Sequence, residues 1–192
     1  MSKEVKIVLI VIGSLAALVF VAFVGAIAYF GVTLSHQVGA SDPASKARTA
    51  AKIASFTLPA GYHYAMAMDM GVMNLVAIAP ENSESKFLIE LQGIALPVGG
   101  ETDDQLMKSL QQSLGTSTRC NGMTTVGDDP VKTASGKTIV LREMTCKAGS
   151  LSDSAVEFGH IPSSYPLAII MAIGSQKTFD HKAVHELVGS LR

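Results

Sequence analysis

The sequence lacks tryptophan, is poor in other aromatic residues and carries little charge, and each shortage excludes a class of protein. Aromatic residues make up 6% of its 192 residues, so few rings are available to stack on sugars or nucleic-acid bases. Charged residues make up 16%, which excludes the composition of a disordered chain. The formal net charge of −1 argues against a nucleic-acid-binding protein, because such proteins need an excess of Lys and Arg.

The motifs of many catalytic and nucleotide-binding sites are missing as well. The chain contains no G-x-S-x-G nucleophile elbow and neither of the glycine-rich phosphate loops, G-x-G-x-x-G and G-x-x-x-x-G-K-[ST]. It contains no C-x-x-C pair, so nothing supports a thioredoxin-like redox role. We therefore expect a protein that is not an enzyme and needs no cofactor.

The N-terminal part of the sequence is one long uncharged run. Residues 7–32 hold only two polar side chains, Ser14 and Tyr29. At 1.5 Å per residue this run makes a helix of about 39 Å, enough to cross a bilayer core of ~30 Å. The sequence therefore predicts a single-pass membrane protein, in which residues 1–6 form a cytoplasmic tail and the larger C-terminal part lies outside the cytoplasm.

A cleaved signal peptide is the alternative interpretation of this run. Lys3 and Lys6 could form its basic region, and a small residue stands at Ala26 and again two positions later. The apolar stretch before Ala26 is longer than the ~7–15 residues of a normal signal peptide, which favours an uncleaved anchor.

Small residues four positions apart recur within the predicted transmembrane helix. This spacing lets two membrane helices approach closely, although it is also common in membrane helices in general. The pairs are Gly13 and Ala17, and Ala22 and Ala26. We expect the lipid bilayer and a membrane-protein partner to contact this protein, and no nucleic acid.

The rest of the chain has the composition of an ordinary soluble domain. Residues 33–55 predict a polar linker with a short helix, and residues 56–192 predict strands in hairpin-connected runs with few helices between them. The wholly apolar segment 167–173 is expected in the middle of the sheet. The predicted fold class is α+β: one N-terminal transmembrane helix followed by a mostly antiparallel sheet flanked by helices.

Alternating hydrophobicity assigns side chains to the faces of the predicted strands. It places Glu90 and Gln92 on the outer face of the third strand. It also predicts that five residues of the first strand share one face: Tyr62, Tyr64, Met66, Met68 and Met70. Residues 127–130 combine Gly, two Asp and Pro, and this composition predicts a turn that interrupts the fourth strand.

Two local segments and the order of elements resemble bacterial envelope domains of the PsbP/Mog1-like type. The segments are FTLPAGY, before the first strand, and the closing FDHKAVHELVGSLR, and a single helix is predicted after the third strand. The resemblance covers residues 56–192. It implies a twisted antiparallel sheet flanked by helices, in a superfamily of mostly accessory or assembly proteins, and it transfers no catalytic residue to this chain.

The only two cysteines are Cys120 and Cys146. Outside the cytoplasm cysteines are usually paired, so we expect a disulfide between them. Two buried free thiols are the alternative.

Three methionines and one histidine form the sharpest candidate for a metal site: Met66, Met68, Met70 and His63. Thioether sulfur selects Cu(I). However, residues on the same face of a strand are about 7 Å apart, too far for neighbouring methionines to share one ion, and methionine is a common core residue. We therefore favour no metal at these residues.

A second candidate is the pair His181 and His185, whose spacing lets two imidazoles bind one metal ion. The sequence H-K-A-V-H lacks the Glu of the H-E-x-x-H zinc motif, and both residues fall on the polar face of the last helix. A solvated helix surface is the favoured interpretation.

The sequence as a whole predicts a membrane-tethered accessory protein that docks on a larger complex, with a small-ligand or Cu(I)-binding envelope protein as the alternative.

Overall fold

One antiparallel sheet of seven strands forms the centre of the computed structural model, in the spatial order β1-β2-β3-β7-β6-β5-β4. The structure describes residues 42–82, 87–95, 123–146 and 153–192. The strands are β1 (Tyr62–Asp69), β2 (Met73–Pro80), β3 (Leu88–Ile94), β4 (Met123–Lys132), β5 (Thr138–Cys146), β6 (Ser154–His160) and β7 (Leu167–Ser175). The apolar strand β7 lies at the centre of the sheet, so its predicted position is confirmed.

Two helices accompany the sheet, α1 (Pro43–Ile53) and α2 (His181–Gly189). Helix α1, the predicted short helix, begins at Pro43, because the Asp42 carboxylate accepts a hydrogen bond from Ala44 N at 3.3 Å and proline suits the first turn. Helix α2 is capped in the same way by Asp180, whose side chain accepts from Ala183 N at 2.9 Å.

The predicted transmembrane architecture is corrected by the structure. Among the described residues no helix is long and apolar enough to cross a membrane: α1 and α2 have 11 and 9 residues, or about 16 and 14 Å of helix against a core of ~30 Å. The architecture found is seven strands with two helices, in place of the predicted transmembrane helix followed by a sheet. The run at 7–32, on which the single-pass prediction was based, lies outside the described residues. So do its small residues: Gly13, Ala17, Ala22 and Ala26.

Both helices pack on the same face of the sheet, which we call the helix face. Helix α1 covers β1, β2 and β3, and α2 lies near β4. The core between them is mostly aliphatic, and its most completely buried large side chains are Ile53, Ile78, Ile89, Leu91, Leu141, Ile161, Ile170, Leu187 and Leu191.

The opposite face of the sheet is also buried, which the sequence did not predict. Its apolar residues are Met144, Val156, Phe158, Leu167, Ile169 and Met171. Glu90 and Gln92, expected to point into solvent, lie on this face and are only 3% and 4% exposed. The alternation in β3 was therefore assigned to the correct faces, but both faces turned out to be buried.

Strand β4 is continuous through the predicted turn. A bulge between Thr125 and Gly127 absorbs one residue, and the pairing with β5 resumes at Gly127 and runs through Pro130 to Lys132. Proline is tolerated here because β4 is an edge strand, where one side of the strand needs no backbone donor. The prediction of a turn at this segment was wrong.

A second bulge, between Tyr64 and Met66, corrects the predicted face of β1. Tyr64 pairs with Ile78 and packs against the helix-face core, whereas Met66 pairs with Ala77, whose side chain points to the other face. The extra residue thus separates the tyrosines from the methionines. The ammonium group of Lys46 holds the bulge by donating to the carbonyl of Tyr64 at 3.3 Å and to the next carbonyl at 2.9 Å.

Candidate functional site

A buried glutamate at the helix face is the starting point of the candidate site. Glu157 stands in the middle of β6, where it pairs with Ala172 of β7 and Glu143 of β5. Ala172 belongs to the core under the helices, so this row of side chains points toward α2. Glu157 is 1% exposed, and a glutamate is rarely buried so completely unless it is paired.

Helix α2 places two imidazoles above this carboxylate. Val184, Leu187 and their apolar neighbours anchor one side of the helix in the core. The adjoining side then carries His181 and His185 one turn apart over β6. His181 Nδ1 lies 3.7 Å from Glu157 Oε1, and His185 Nε2 lies 4.0 Å from the same oxygen.

The edge strand β4 adds a second carboxylate. Asp129 pairs with Leu141, a helix-face core residue, so its side chain projects on the side of α2. Asp129 Oδ2 lies 2.9 Å from His185 Nε2. One donor atom each from Asp129, Glu157 and His185 all lie within 4.8 Å of one another.

The polar atoms of this cluster are poorly satisfied by each other. Among the residues that the structure describes, Glu157 Oε2 has no hydrogen-bond partner, and His185 Nε2 is close to Asp129 but not aligned for a hydrogen bond. Burial raises the pKa of the Glu157 carboxyl above its usual range; the two histidines oppose this rise and Glu143 adds to it. Buried polar atoms without a partner need an explanation, and a bound ion is one.

The donor set and its spacing fit a divalent transition metal ion. Imidazole nitrogen and carboxylate oxygen bind zinc and similar ions at ~2.0–2.2 Å, which separates the donors of a tetrahedral site by about 3.4 Å. His185 Nε2 lies 2.9 Å from Asp129 Oδ2 and 4.0 Å from Glu157 Oε1, and these two separations bracket that value. An ion between these donors would neutralise the two carboxylates.

The methionine candidate is placed elsewhere, at the opposite edge of the sheet. Met66 and Met68 are half-buried in β1, and Met70 follows the strand and is 47% exposed. His63 is exposed at the start of the same strand. The structure neither tests copper binding nor brings these residues to the histidines of α2, so the expectation of no metal at these residues, with Cu(I) as the alternative, stays untested.

The cysteine prediction involves one described residue. Cys146 at the end of β5 is disulfide-bonded and 7% exposed. Cys120 lies outside the described residues, so the predicted pairing with Cys146 stays a prediction.

Sequence reasoning noted the spacing of the two histidines but favoured a solvated helix surface for them, and it did not single out the carboxylates beneath them. Two signals were available. Glu157 is a single glutamate inside the apolar strand β6, and Asp129 is an aspartate in a segment that was interpreted as a turn. Neither signal says which helix lies above the strand. A comparison with models of known protein families and with curated proteins finds no match for this chain.

Proposed function

We propose that the protein is a binding domain of the extracytoplasmic space that holds one divalent transition metal ion between α2 and the sheet. The observation that carries this proposal is the Glu157 carboxylate, which is 1% exposed and lies under His181 and His185 with one oxygen unsatisfied. Buried charges are normally paired or bound to metals. The location outside the cytoplasm is supported by the disulfide at Cys146.

The site joins parts of the chain that are distant in sequence. Asp129 comes from the edge strand β4, Glu157 from the inner strand β6, and His185 from the C-terminal helix. An ion bound to all three connects α2 to two strands of the sheet. Since metal ions bind the folded site better than the unfolded chain, occupancy stabilises the fold, by about 2.7 kcal/mol at a free ion concentration 100 times the Kd.

A titration with Zn²⁺ tests the proposal directly. The full chain is freed of metal with a chelator and titrated by calorimetry, and the melting temperature is measured with and without Zn²⁺. We expect one ion per chain and a higher melting temperature in its presence. Absence of binding at micromolar Zn²⁺ would overturn the proposal.

Two variants and one control locate the site. Glu157→Gln keeps the shape of the side chain, and His185→Ala removes a half-exposed ring; each is expected to weaken Zn²⁺ binding at least about tenfold. His63→Ala, an exposed histidine on β1, should bind as the parent does. Circular dichroism confirms that each variant is folded. Parental affinity in both site variants would contradict the assignment.

Docking on a partner protein is a second candidate function, which one surface feature favours. The turn between β1 and β2 exposes two apolar side chains, Met70 at 47% and Val72 at 55%. The turn is held by Gly71, whose backbone N–H donates to the Asp69 carboxylate at 3.0 Å, and by the N–H of Met70, which donates to the carbonyl of Met73 at 2.9 Å. Exposed apolar side chains on a fixed turn are suited to a protein contact.

Cross-linking from the turn tests this second candidate. A photoreactive residue replaces Val72 in one version of the chain and exposed Lys137, in the β4–β5 turn, in the other. Docking through the β1–β2 turn predicts a discrete cross-linked partner from position 72 only, and its loss on Met70→Glu. Equal products from both positions, or none from position 72, would contradict it.

A further inference from the structure

His181 stands apart from the three donors that already cluster. The mutually close group consists of Asp129, Glu157 and His185, and His181 approaches it only through Glu157, at 3.7 Å. With those three donors alone the site would offer two carboxylates and one imidazole. Oxygen-rich sites of this kind accept Mn²⁺ or Mg²⁺ as well as zinc.

The ring of His181 is nevertheless held close to the site. It packs against Phe179 with ring centroids 4.6 Å apart, and Phe179 in turn contacts the buried ring of Phe87 edge-on at 5.1 Å. On its other side Nδ1 is directed to Glu157 Oε1. The side chain is 48% exposed, so the ring has room to move a short distance toward an ion.

We propose that His181 is the fourth ligand and the residue that makes the site selective for zinc-like ions. This inference rests on the proposed metal-binding function and adds the identity of the selected ions. On binding, a small rotation of the ring on Phe179 brings Nδ1 to the ion and closes a tetrahedral set of two nitrogens and two oxygens. A second imidazole favours Zn²⁺ and Co²⁺ over Mn²⁺ and Mg²⁺.

The expected effect is a change in selectivity and not only in affinity. His181→Ala leaves the three clustered donors in place, so Zn²⁺ binding is expected to weaken at least about tenfold while Mn²⁺ binding changes less than about threefold. His181→Asp restores a donor of the oxygen type. That variant is expected to recover part of the Zn²⁺ affinity and to bind Mn²⁺ more tightly than the parent.

Cobalt reports the number of ligands independently of affinity. Four-coordinate Co²⁺ absorbs visible light much more strongly than six-coordinate Co²⁺. The parent chain and the control His63→Ala should both give the intense spectrum with saturating Co²⁺, and His181→Ala should lose most of that intensity. A merely structural role of His181 would leave the spectrum unchanged.

The possible outcomes separate this inference from the proposal on which it rests. If His181→Ala keeps the parental Zn²⁺ affinity and Co²⁺ spectrum while His185→Ala loses both, the metal site stands and His181 is not a ligand. If the parent chain binds neither ion, the proposed function itself fails. If His181→Ala weakens Zn²⁺ and Mn²⁺ equally, the selectivity role is overturned.

Discussion

At the scale of single residues, Glu90 is the least compensated group that the structure describes. Its side chain lies on the face of the sheet opposite the helices, in register with Ala77 and Met171. Neither carboxylate oxygen has a hydrogen-bond partner among the described residues. Burial raises the pKa of Glu90 to about 8, because the charged form has lost its hydration. The folded protein therefore holds this carboxyl in its neutral form at pH 7.

This burial predicts that the free energy of unfolding decreases as pH rises. The unfolded chain ionises Glu90 near pH ~4.3, whereas the folded chain does so at about 8. Between these values the folded state binds one more proton than the unfolded state. The contribution of Glu90 to the free energy of unfolding is therefore fully present below about pH 4 and is lost progressively up to about pH 8. Glu90→Gln should remove this decrease, which is at most on the order of 5 kcal/mol.

Denaturant unfolding at several pH values between 4 and 9 measures the effect. Glu81→Gln, at an exposed position, serves as the control and should keep the parental pH dependence. An unchanged slope in Glu90→Gln would show that another group causes the dependence. Since Glu90 is not part of the metal site, the experiment is done without added metal.

Gly93 is required for a close approach between a strand and a loop. A Cβ atom at this position would lie 2.7 Å from Tyr165 Cδ2. Tyr165 cannot easily move away, because its hydroxyl shares a hydrogen bond of 2.5 Å with the buried side-chain amide of Asn74. Gly93→Ala is therefore expected to destabilise the fold by about 1–3 kcal/mol. Gly127→Ala, which meets nothing within 4 Å, is the matched control in thermal unfolding, and equal effects would refute the steric explanation.

At the scale of secondary-structure elements, the two N-caps differ in what they connect. Asp42 makes one exposed hydrogen bond within α1, at 3.3 Å. Asp180 caps α2 at 2.9 Å and also accepts a hydrogen bond of 2.7 Å from the hydroxyl of Tyr62 in β1. The second hydrogen bond connects the start of α2, next to His181, to the edge strand β1.

This difference predicts unequal effects of the same substitution. Asp180→Ala should lower the free energy of unfolding by about 2–3 kcal/mol, because it removes both a cap and a part-buried hydrogen bond. Asp42→Ala should lower it by about 0.5–1 kcal/mol. Tyr62→Phe removes only the hydrogen bond to Asp180 and should lower it by about 1 kcal/mol. Urea unfolding of the three variants measures these free energies. If Asp180→Ala lowers the free energy of unfolding no more than Asp42→Ala does, the stabilising role of the Tyr62–Asp180 hydrogen bond is contradicted.

The sequence predicted elements whose signals are local and missed those that depend on neighbouring strands. Helix α1 has its cap and its proline within three residues, and β7 is apolar throughout, so both were predicted. Strand β4 was interrupted in the prediction because its Asp-Asp-Pro segment resembles a turn. It is tolerated in a strand only because β4 stands at the edge of the sheet, and the strand order cannot be read from the segment itself.

At the scale of the whole molecule, the same limit explains why the sequence did not predict the candidate site. The spacing of His181 and His185 was visible in the sequence, but a solvated helix surface was the favoured interpretation. The position of Glu157 beneath them follows from β6 lying between β5 and β7, and the position of Asp129 follows from β4 pairing with β5. Such long-range pairings leave no local pattern. The resemblance to PsbP/Mog1-like domains, which depends mainly on element order, likewise stays a prediction.

The last prediction concerns the disulfide bond at Cys146. Cys146 ends β5, is 7% exposed and is disulfide-bonded, and Cys120 is the only other cysteine in the sequence. A bond between them closes a long loop, so its reduction should lower the free energy of unfolding by about 3 kcal/mol.

Unfolding by guanidinium with and without reductant measures this difference, and a Cys120→Ser/Cys146→Ser variant should give the reduced value under both conditions. Peptide mapping of the unreduced protein identifies the partner. A cross-link between two chains, or alkylation of either thiol before reduction, would contradict the intramolecular bond. Because Cys146 lies on β5, one strand away from Glu157, the Zn²⁺ affinity of the serine variant also shows whether the bond is needed to hold the metal site together.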